Sequence, residues 1–248
     1  MQYKLIKKNF GAIINTRLDK IQNDDIRLLK KMLLDYKVLF FKKQKISDDL
    51  HKTIASYIGE MIPHNKEKEV DPFIQSIKAK KNRFQEWHTD SSWRTSPPSV
   101  SILQAINVPE FGGNTYWIDC NFAYKKIPRH LKKRILNKKI IHENEKYNSF
   151  NVSHPIIRTH PENKLKSLYI NFSLDSKVEG VTKKESDKII NDLYEFIIDD
   201  KFKISHMWEV GDIAIWDNRS TLHFAENNYG DFNRLMKRII VTDYDIPH

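Results

Sequence analysis

Three stretches of the chain have apolar side chains at the three-to-four-residue spacing of an amphipathic helix. The first runs from Asn23 to Tyr36 and the second from Ser47 to Ile58. The third begins after Thr182, which with Glu185 has the spacing of a capping box, and runs to about Ile198. The pattern therefore predicts two helices near the start of the chain and one near its end.

The remaining apolar segments are rich in β-branched and aromatic residues, which is typical of strands. The predicted strands are Lys37 to Lys42, Phe73 to Ala79, Val100 to Asn107, Ser167 to Asn171, Asp212 to Asp217 and Arg238 to Tyr244. Turn-forming residues separate several of them, as in FGGN and PENK. This order of elements predicts a mainly β, α+β fold in which helices flank a β-sandwich, and a jelly roll is one such architecture.

The composition agrees with one globular domain spanning residues 1–248. Apolar residues make up 40% of the chain and charged residues 30%, which is an ordinary composition for a folded protein. No apolar run approaches the roughly 20 residues that span a bilayer, so we expect no membrane partner. The single cysteine, Cys120, cannot form an internal disulfide, and a cytoplasmic location is the simplest expectation.

The net charge of +10 raises nucleic acid as a possible partner. The basic residues are spread along the chain, and no basic helix interleaved with aromatic residues or Cys/His finger spacing is present. We therefore expect a solvated lysine surface and no nucleic-acid partner, although the charge would attract small anionic substrates.

The stretch QEWHTDSSW places His88 two residues before Asp90. On an extended segment both side chains would point to one face, and a distant histidine would complete the two-histidine, one-carboxylate triad that binds Fe(II) and leaves coordination positions open. His223 is the best candidate, because it follows the strong strand DIAIWD and the turn NRST. His160 with Glu162 repeats the His-x-acid spacing, but it lies on the PENK turn.

Several further segments carry a family resemblance. They are WHTDSSWRTSPPSVSILQA, FGGNTYW, HPIIRTHPENKLKSLYIN and the C-terminal block that contains GDIAIWDNRSTLH and two later arginines. Together they resemble the taurine dioxygenase (TauD/TfdA) family of Fe(II)/2-oxoglutarate-dependent oxygenases, in order and over nearly the whole chain. The resemblance implies a double-stranded β-helix (jelly-roll) core with flanking helices.

The resemblance also implies the cofactor chemistry. It assigns Fe(II) to His88, Asp90 and His223, and it assigns the distal carboxylate of 2-oxoglutarate to Thr115 and Arg234. O₂ would be the second co-substrate. The implied reaction is hydroxylation or oxidative cleavage of a small, anionic organic molecule with release of succinate and CO₂.

Substrate contacts are implied at Arg238 and His64. Phe84 and Leu174 replace polar or aromatic residues of the taurine enzyme, which predicts a bulkier or less polar substrate than taurine. Three alternatives stay open: a neutral substrate, with Arg238 paired to a protein carboxylate such as Glu67; desaturation or another oxidative outcome; and a jelly-roll binding protein without catalysis. A homo-oligomer is compatible with the sequence.

Overall fold

The computed structural model describes residues 1–64, 70–78, 86–143 and 152–248. Five helices lie in these ranges: α1 (Asn23–Tyr36), α2 (Asp48–Ile58), α3 (Cys120–Lys126), α4 (Arg129–Ile135) and α5 (Lys183–Ile197). The strands are β1 (Gln2–Lys7), β2 (Phe10–Asn15), β3 (Val38–Phe41), β4 (Glu60–Met61), β5 (Gln75–Lys78), β6 (Val100–Asn107), β7 (Thr115–Asp119), β8 (Lys139–Glu143), β9 (Ser153–Pro155), β10 (Ile157–Thr159), β11 (Lys166–Leu168), β12 (Asp175–Val178), β13 (Lys203–His206), β14 (Ile213–Asp217), β15 (Thr221–Ala225) and β16 (Leu235–Thr242).

Local side-chain caps explain where the predicted helices begin. The hydroxyl of Ser47 accepts a hydrogen bond from the backbone N–H of Leu50 at the start of α2. The hydroxyl of Thr182 does the same for Glu185 at the start of α5. Each bond satisfies one of the backbone donors that a helix leaves open at its first turn. The three predicted helices are confirmed.

Two facing sheets form the centre of the molecule. The larger sheet has the order β1-β2-β3-β14-β6-β16-β4, with β5 also paired to β16, and the smaller sheet has the order β13-β7-β15. Smaller sheets, β10-β11 and β12-β8-β9, extend the structure. The predicted strands that the described residues cover are confirmed, with shifted ends: the last begins at Leu235 instead of Arg238, and Ser167 to Asn171 is strand only as far as Leu168.

The apolar core has three layers. Phe40 and Trp216 of the larger sheet meet Trp117 of the smaller one, with ring centroids 5.2 and 5.7 Å away. Helices α1 and α2 cover the outer face of the larger sheet, and helices α3 to α5 cover the outer face of the smaller sheet. This arrangement confirms the mainly β, jelly-roll class with flanking helices. Among the described residues, no helix has the length and apolar character required to cross a membrane.

Helix α2 buries only part of the face that its apolar spacing predicts: Ile54 is buried, whereas Tyr57 is 40% exposed. His51, which the sequence places within a predicted surface helix, is fully buried together with Ile54 and Ala55. Burial lowers the pKa of His51 to about 4, so its imidazole is neutral at pH 7. A neutral ring packs as a partly apolar group, which is why a histidine is tolerated there.

Candidate metal centre

Two backbone hydrogen bonds bring His88 and His223 together. The N–H of His88 donates to the carbonyl of His223 at 3.0 Å, and the N–H of His223 donates to the carbonyl of His88 at 2.8 Å. This isolated antiparallel bridge joins the segment before Asp90 to strand β15. The imidazole centroids are 4.1 Å apart, so both rings face the same side of the bridge.

Asp90 reaches the two histidines from a turn. The strand geometry expected for His88 and Asp90 is wrong: only the bridge at His88 is extended, Asp90 starts a turn, and Ser91 has a φ of 46°. Even so, His88, Asp90 and His223 each place a potential ligand atom within 4.8 Å of the others, and all three are buried. The sequence therefore identified residues that converge, through a different backbone path from the one assumed.

A chain of hydrogen bonds orients the Asp90 carboxylate. The hydroxyl of Ser101 donates to Oδ2 of Asp90 at 2.5 Å, and the side-chain amide of Asn218 donates to that hydroxyl at 2.8 Å. The indole N–H of Trp216 donates in turn to Oδ1 of Asn218 at 2.9 Å. Oδ1 of Asp90 lies on the other side, 3.7 Å from Nε2 of His223. Such outer contacts fix the orientation of a ligand.

The electrostatics of the cluster favour the forms of these side chains that bind metal. Burial lowers the pKa of both His88 and His223, so both are neutral at pH 7. Burial alone would raise the pKa of Asp90, but the charge of Arg238, the two histidines and the hydrogen bond from Ser101 together outweigh burial and hold that pKa well below its usual range. Two neutral imidazoles and one carboxylate suit a ferrous ion, so the residues present fit the metal that the sequence implies.

Arg238 lies directly beside the candidate metal ligands. Its Nη1 donates to Oδ1 of Asp90 in a short ion pair, and its Nη2 and Nε donate to Oε1 of Gln75 at 2.7 and 3.2 Å. The sequence left Arg238 available for a substrate or paired with a carboxylate such as Glu67. In the described residues it is already paired, and the carboxylate is that of Asp90; Glu67 lies outside them.

His64 faces the same charges. Burial lowers its pKa to about 4, and the charges of Arg238 and Asp90 act on it in opposite directions. Its Nε2 is buried and has no hydrogen-bond partner among the residues that the structure describes. A neutral imidazole with a buried, unused ring nitrogen is suited to a hydrogen bond with a ligand.

Thr115 lies on the inner face of the smaller sheet. Strand β7 pairs with β15 so that Thr115 is opposite Ala225 and Trp117 is opposite His223, and residues two apart share a face. Thr115 is therefore on the same face as His223. Its hydroxyl accepts a hydrogen bond from the indole of Trp208 at 2.9 Å, and the hydroxyl hydrogen is left to donate to another group.

Arg234 is buried, and no carboxylate in the described ranges pairs with it. Only 5% of the residue is exposed, and its Nε and Nη2 have no partner in the described part of the chain. Its guanidinium is 6.0 Å from the centroid of the Tyr229 ring. Tyr229 also packs on Gly113, where a φ of +67° and an added Cβ only 3.0 Å from the ring favour glycine. This contact chain connects Arg234 to the segment that leads into Thr115.

Arg234 and Arg238 do not share one regular strand. Strand β16 begins after Arg234, and its register with β6 shifts between Leu235 and Met236. The period-two reasoning that placed both arginines on one face is therefore interrupted by a bulge. The two side chains have different surroundings: Arg238 has protein partners, and two nitrogens of Arg234 have none among the described residues.

The structure says less about the two other expected substrate residues. Leu174 is half-buried in the turn before β12, and Phe84 lies outside the described residues. The alternative pair His160 and Glu162 is not a second ligand set. Nε2 of His160 is 3.0 Å from Oδ2 of Asp217, while Glu162 pairs with Arg219 at 2.7 Å.

Sequence reasoning missed the residues that support the site, which are Gln75, Ser101, Trp208 and Asn218. One signal was present: Ser101 and Gln104 are polar residues inside the otherwise apolar strand VSILQAIN, and both are buried. A polar side chain inside a buried strand needs a partner. The identity of the partner depends on strand order, which the sequence did not provide.

Comparisons with known proteins identify the family of the chain. The model of the taurine catabolism dioxygenase TauD, TfdA family matches residues 2–240. An alkylsulfatase of Acinetobacter baylyi is 30% identical over 255 residues, covering 92% of this chain and 79% of the relative. An alpha-ketoglutarate-dependent sulfate ester dioxygenase of Pseudomonas putida is 27% identical over 240 residues, covering 86% and 79%.

A solved structure extends the likeness to the fold. The crystal structure of a taurine dioxygenase from Burkholderia xenovorans has a TM-score of 0.88 and 29% identity to this chain, and the match covers 99% of this chain and 92% of the other. The family match over residues 2–240 includes every candidate ligand and arginine described above. The chain therefore belongs to the taurine catabolism dioxygenase TauD, TfdA family.

Proposed function

We propose that this family member is an Fe(II)- and 2-oxoglutarate-dependent dioxygenase that hydroxylates or oxidatively cleaves a small anionic organic substrate and releases succinate and CO₂. The observation that carries the proposal is the buried convergence of His88, Asp90 and His223 within 4.8 Å. The buried guanidinium of Arg234, two of whose nitrogens lack a partner among the described residues, would add a carboxylate site. A chelating dicarboxylic co-substrate needs both.

His88, Asp90 and His223 would hold the ferrous ion through two neutral imidazoles and one carboxylate. When bound, the ion supplies the redox chemistry that couples oxidation of 2-oxoglutarate by O₂ to oxidation of the substrate. The protein's own contribution is to fix the three ligands. The backbone bridge holds the two histidines, and Ser101 holds Asp90, before any ligand arrives.

Thr115 and Arg234 would bind the distal carboxylate of 2-oxoglutarate. Arg234 provides donors that have no other partner among the described residues, and a guanidinium matches a carboxylate in geometry as well as charge. Trp208 uses one of the two lone pairs of the Thr115 hydroxyl and leaves its O–H available to donate. Burial strengthens both interactions because water competes poorly there.

Arg238 and His64 would bind the anionic group of the substrate. The relatives are named for sulfate esters and alkyl sulfates, which carry such a group. Exchange of Gln75 for an anion at the Arg238 fork would replace a neutral acceptor by a negatively charged one. The apolar residue types at positions 84 and 174 in the sequence favour a substrate body larger than that of taurine.

Anaerobic ultraviolet–visible spectroscopy tests the metal and co-substrate sites together. We expect Fe(II) with 2-oxoglutarate to give a weak visible charge-transfer band in the parent protein and none in His223→Ala. His130→Ala is the matched control, because His130 is an exposed histidine on α4. A parent protein without the band would contradict the proposal.

The substrate class is tested by succinate release. The parent protein would be screened against alkyl sulfates, sulfonates, aryloxyacetates, other carboxylates and neutral analogues of each. We expect release of succinate above the uncoupled level with at least one anionic compound and less with its neutral analogue. Equal turnover of the neutral analogue would remove the anionic requirement while leaving the dioxygenase assignment intact.

A further inference from the structure

Arg238 links the candidate metal ligands to the proposed anion site. Its Nη1 contacts Oδ1 of Asp90, which is also the carboxylate oxygen 3.7 Å from Nε2 of His223. Its Nε and Nη2, the two nitrogens that would form a fork for an anion, both contact Oε1 of Gln75. The Arg238 side chain thus contacts a candidate metal ligand, Asp90, through Nη1 and contacts Gln75 through the two nitrogens proposed to bind the anion.

The Asp90–Arg238 pair is buried, with side-chain exposures of 4% and 7%. A carboxylate and a guanidinium removed from water balance each other's charge. A divalent cation that binds Asp90 introduces two further positive charges beside Arg238. That cation weakens the attraction between Asp90 and Arg238 and leaves a buried guanidinium whose charge is no longer fully compensated. An anion on Arg238 would restore the balance.

We propose that Arg238 couples the two sites, so that binding of a divalent metal at Asp90 and binding of a small anion at Arg238 each strengthen the other. The proposal rests on the proposed function, because it takes the metal and anion sites from it. Binding linkage is reciprocal: the factor by which the anion raises metal affinity equals the factor by which the metal raises anion affinity. Couplings of this kind are typically about 5- to 150-fold.

The coupling would impose an order on ligand binding. Metal-free protein would bind the substrate anion poorly, because Asp90 and Gln75 hold Arg238. Metal-loaded protein would bind the anion well, because the positive charge of Arg238 is then no longer fully compensated by Asp90. Substrate would thus bind more tightly to protein molecules that already contain the metal.

Metal titration with and without an anion tests the coupling. Metal-free protein is titrated with Mn(II) in the absence of 2-oxoglutarate, and free Mn(II) is followed by electron paramagnetic resonance. The buffers contain sodium methanesulfonate or sodium chloride at equal ionic strength. We expect the Mn(II) Kd to be at least about fivefold lower in methanesulfonate. The methanesulfonate Kd, measured by calorimetry, should fall by the same factor when Mn(II) is present.

Two variants locate the coupling. Arg238→Gln removes the linking cation, and Lys237→Gln removes the neighbouring charge, which pairs with Asp48 at the surface. We expect Arg238→Gln to lose the methanesulfonate effect and to bind Mn(II) more tightly than the parent in chloride. Lys237→Gln should keep the full effect. If Arg238→Gln fails to fold, Arg238→Met takes its place with the same expected results, and equal Mn(II) affinity of the parent in the two buffers would still overturn the coupling.

Several results would overturn the inference. Equal Mn(II) affinity in the two buffers removes the coupling while the proposed metal site stands. A methanesulfonate effect that persists in Arg238→Gln means that the anion binds the metal directly. Weaker Mn(II) binding by Arg238→Gln in chloride means that the arginine supports the metal site instead of competing with it. A parent protein that binds no Mn(II) removes the proposed function together with this inference.

Discussion

His88 and His223 are joined by two backbone hydrogen bonds, so their association does not depend on their imidazoles. This separates metal binding from folding. We predict that His88→Ala and His223→Ala each abolish tight Mn(II) binding and substrate-coupled turnover, because three protein ligands leave none to spare. The metal-free free energy of unfolding should change by no more than about 2 kcal/mol. Calorimetric titration and urea unfolding measure the two effects, and near-normal Mn(II) affinity in His223→Ala would show that His223 is not the third ligand.

Asp90→Ala should behave differently from the histidine variants. It also abolishes metal binding, but it leaves the buried guanidinium of Arg238 without its carboxylate. Removing one partner of a buried ion pair costs about 3–5 kcal/mol. Urea unfolding of the metal-free protein at pH 7 should therefore show a clearly larger loss for Asp90→Ala than for His223→Ala. Equal losses would mean that the pair contributes little to the fold.

Arg234→Met should weaken 2-oxoglutarate binding without harming the fold. Loss of a charge-assisted contact in a buried site is expected to cost about 2–5 kcal/mol of co-substrate binding. Because Nε and Nη2 have no partner among the described residues, removal of this buried charge should leave the free energy of unfolding of the ligand-free protein unchanged or raised. The 2-oxoglutarate KM and urea unfolding measure the two effects. A normal 2-oxoglutarate KM would place the carboxylate on another residue, and the unchanged Mn(II) affinity expected for this variant serves as the control.

Thr115 offers a matched pair of substitutions. Thr115→Val removes the hydroxyl and leaves the indole N–H of Trp208 without its acceptor, at a cost of about 1–3 kcal/mol of stability. The 2-oxoglutarate KM should rise in the same variant. Thr115→Ser keeps the hydroxyl, so it should retain most of both properties. A Thr115→Val protein with normal KM but reduced stability would limit Thr115 to a structural role.

His51 should make stability depend on pH. Burial lowers its pKa in the folded chain to about 4, below the value of about 6.5 expected when unfolded. Between these values the unfolded chain binds the proton and the folded chain does not. The contribution of His51 to the free energy of unfolding therefore falls as the pH drops from about 6.5 to about 4, and below about pH 4 it stays constant. The contribution of one such histidine approaches about 1.4 kcal/mol per pH unit. Urea unfolding at pH 7 and pH 5 should show a smaller loss in His51→Met than in the parent, whereas His130→Gln, an exposed control, should match the parent.

The sequence identified the helices because their signals are local. The Ser47 hydroxyl and the Leu50 N–H that it caps are three residues apart, and apolar residues at helical spacing mark α1. It also identified the central strands β3, β14, β6 and β16 of the larger sheet, whose residues are mostly apolar. It did not predict the strands of the smaller sheet, β13, β7 and β15. It also missed β1, where all six residues are exposed, because a strand without a buried face has no hydrophobic alternation to reveal it.

The tertiary structure decided which groups surround each candidate site residue. Asp90 meets His223 through a turn and a bridge, and its ion pair with Arg238 joins residues 148 positions apart. The order of strands β14, β6 and β16 in one sheet also placed the polar side chain of Ser101 beside Asp90. These relationships depend on how distant segments pair, which local periodicity does not encode.

The sequence by itself thus determined the class of fold, and it identified three candidate metal ligands and two candidate arginines. Only the tertiary structure decided that Arg238 is paired while two nitrogens of Arg234 lack a partner among the described residues, and that His51 lies in the core. The reason is physical. Residue type and local spacing set the chemistry and the local backbone, but the charge and burial around a side chain come from segments that are far away along the chain.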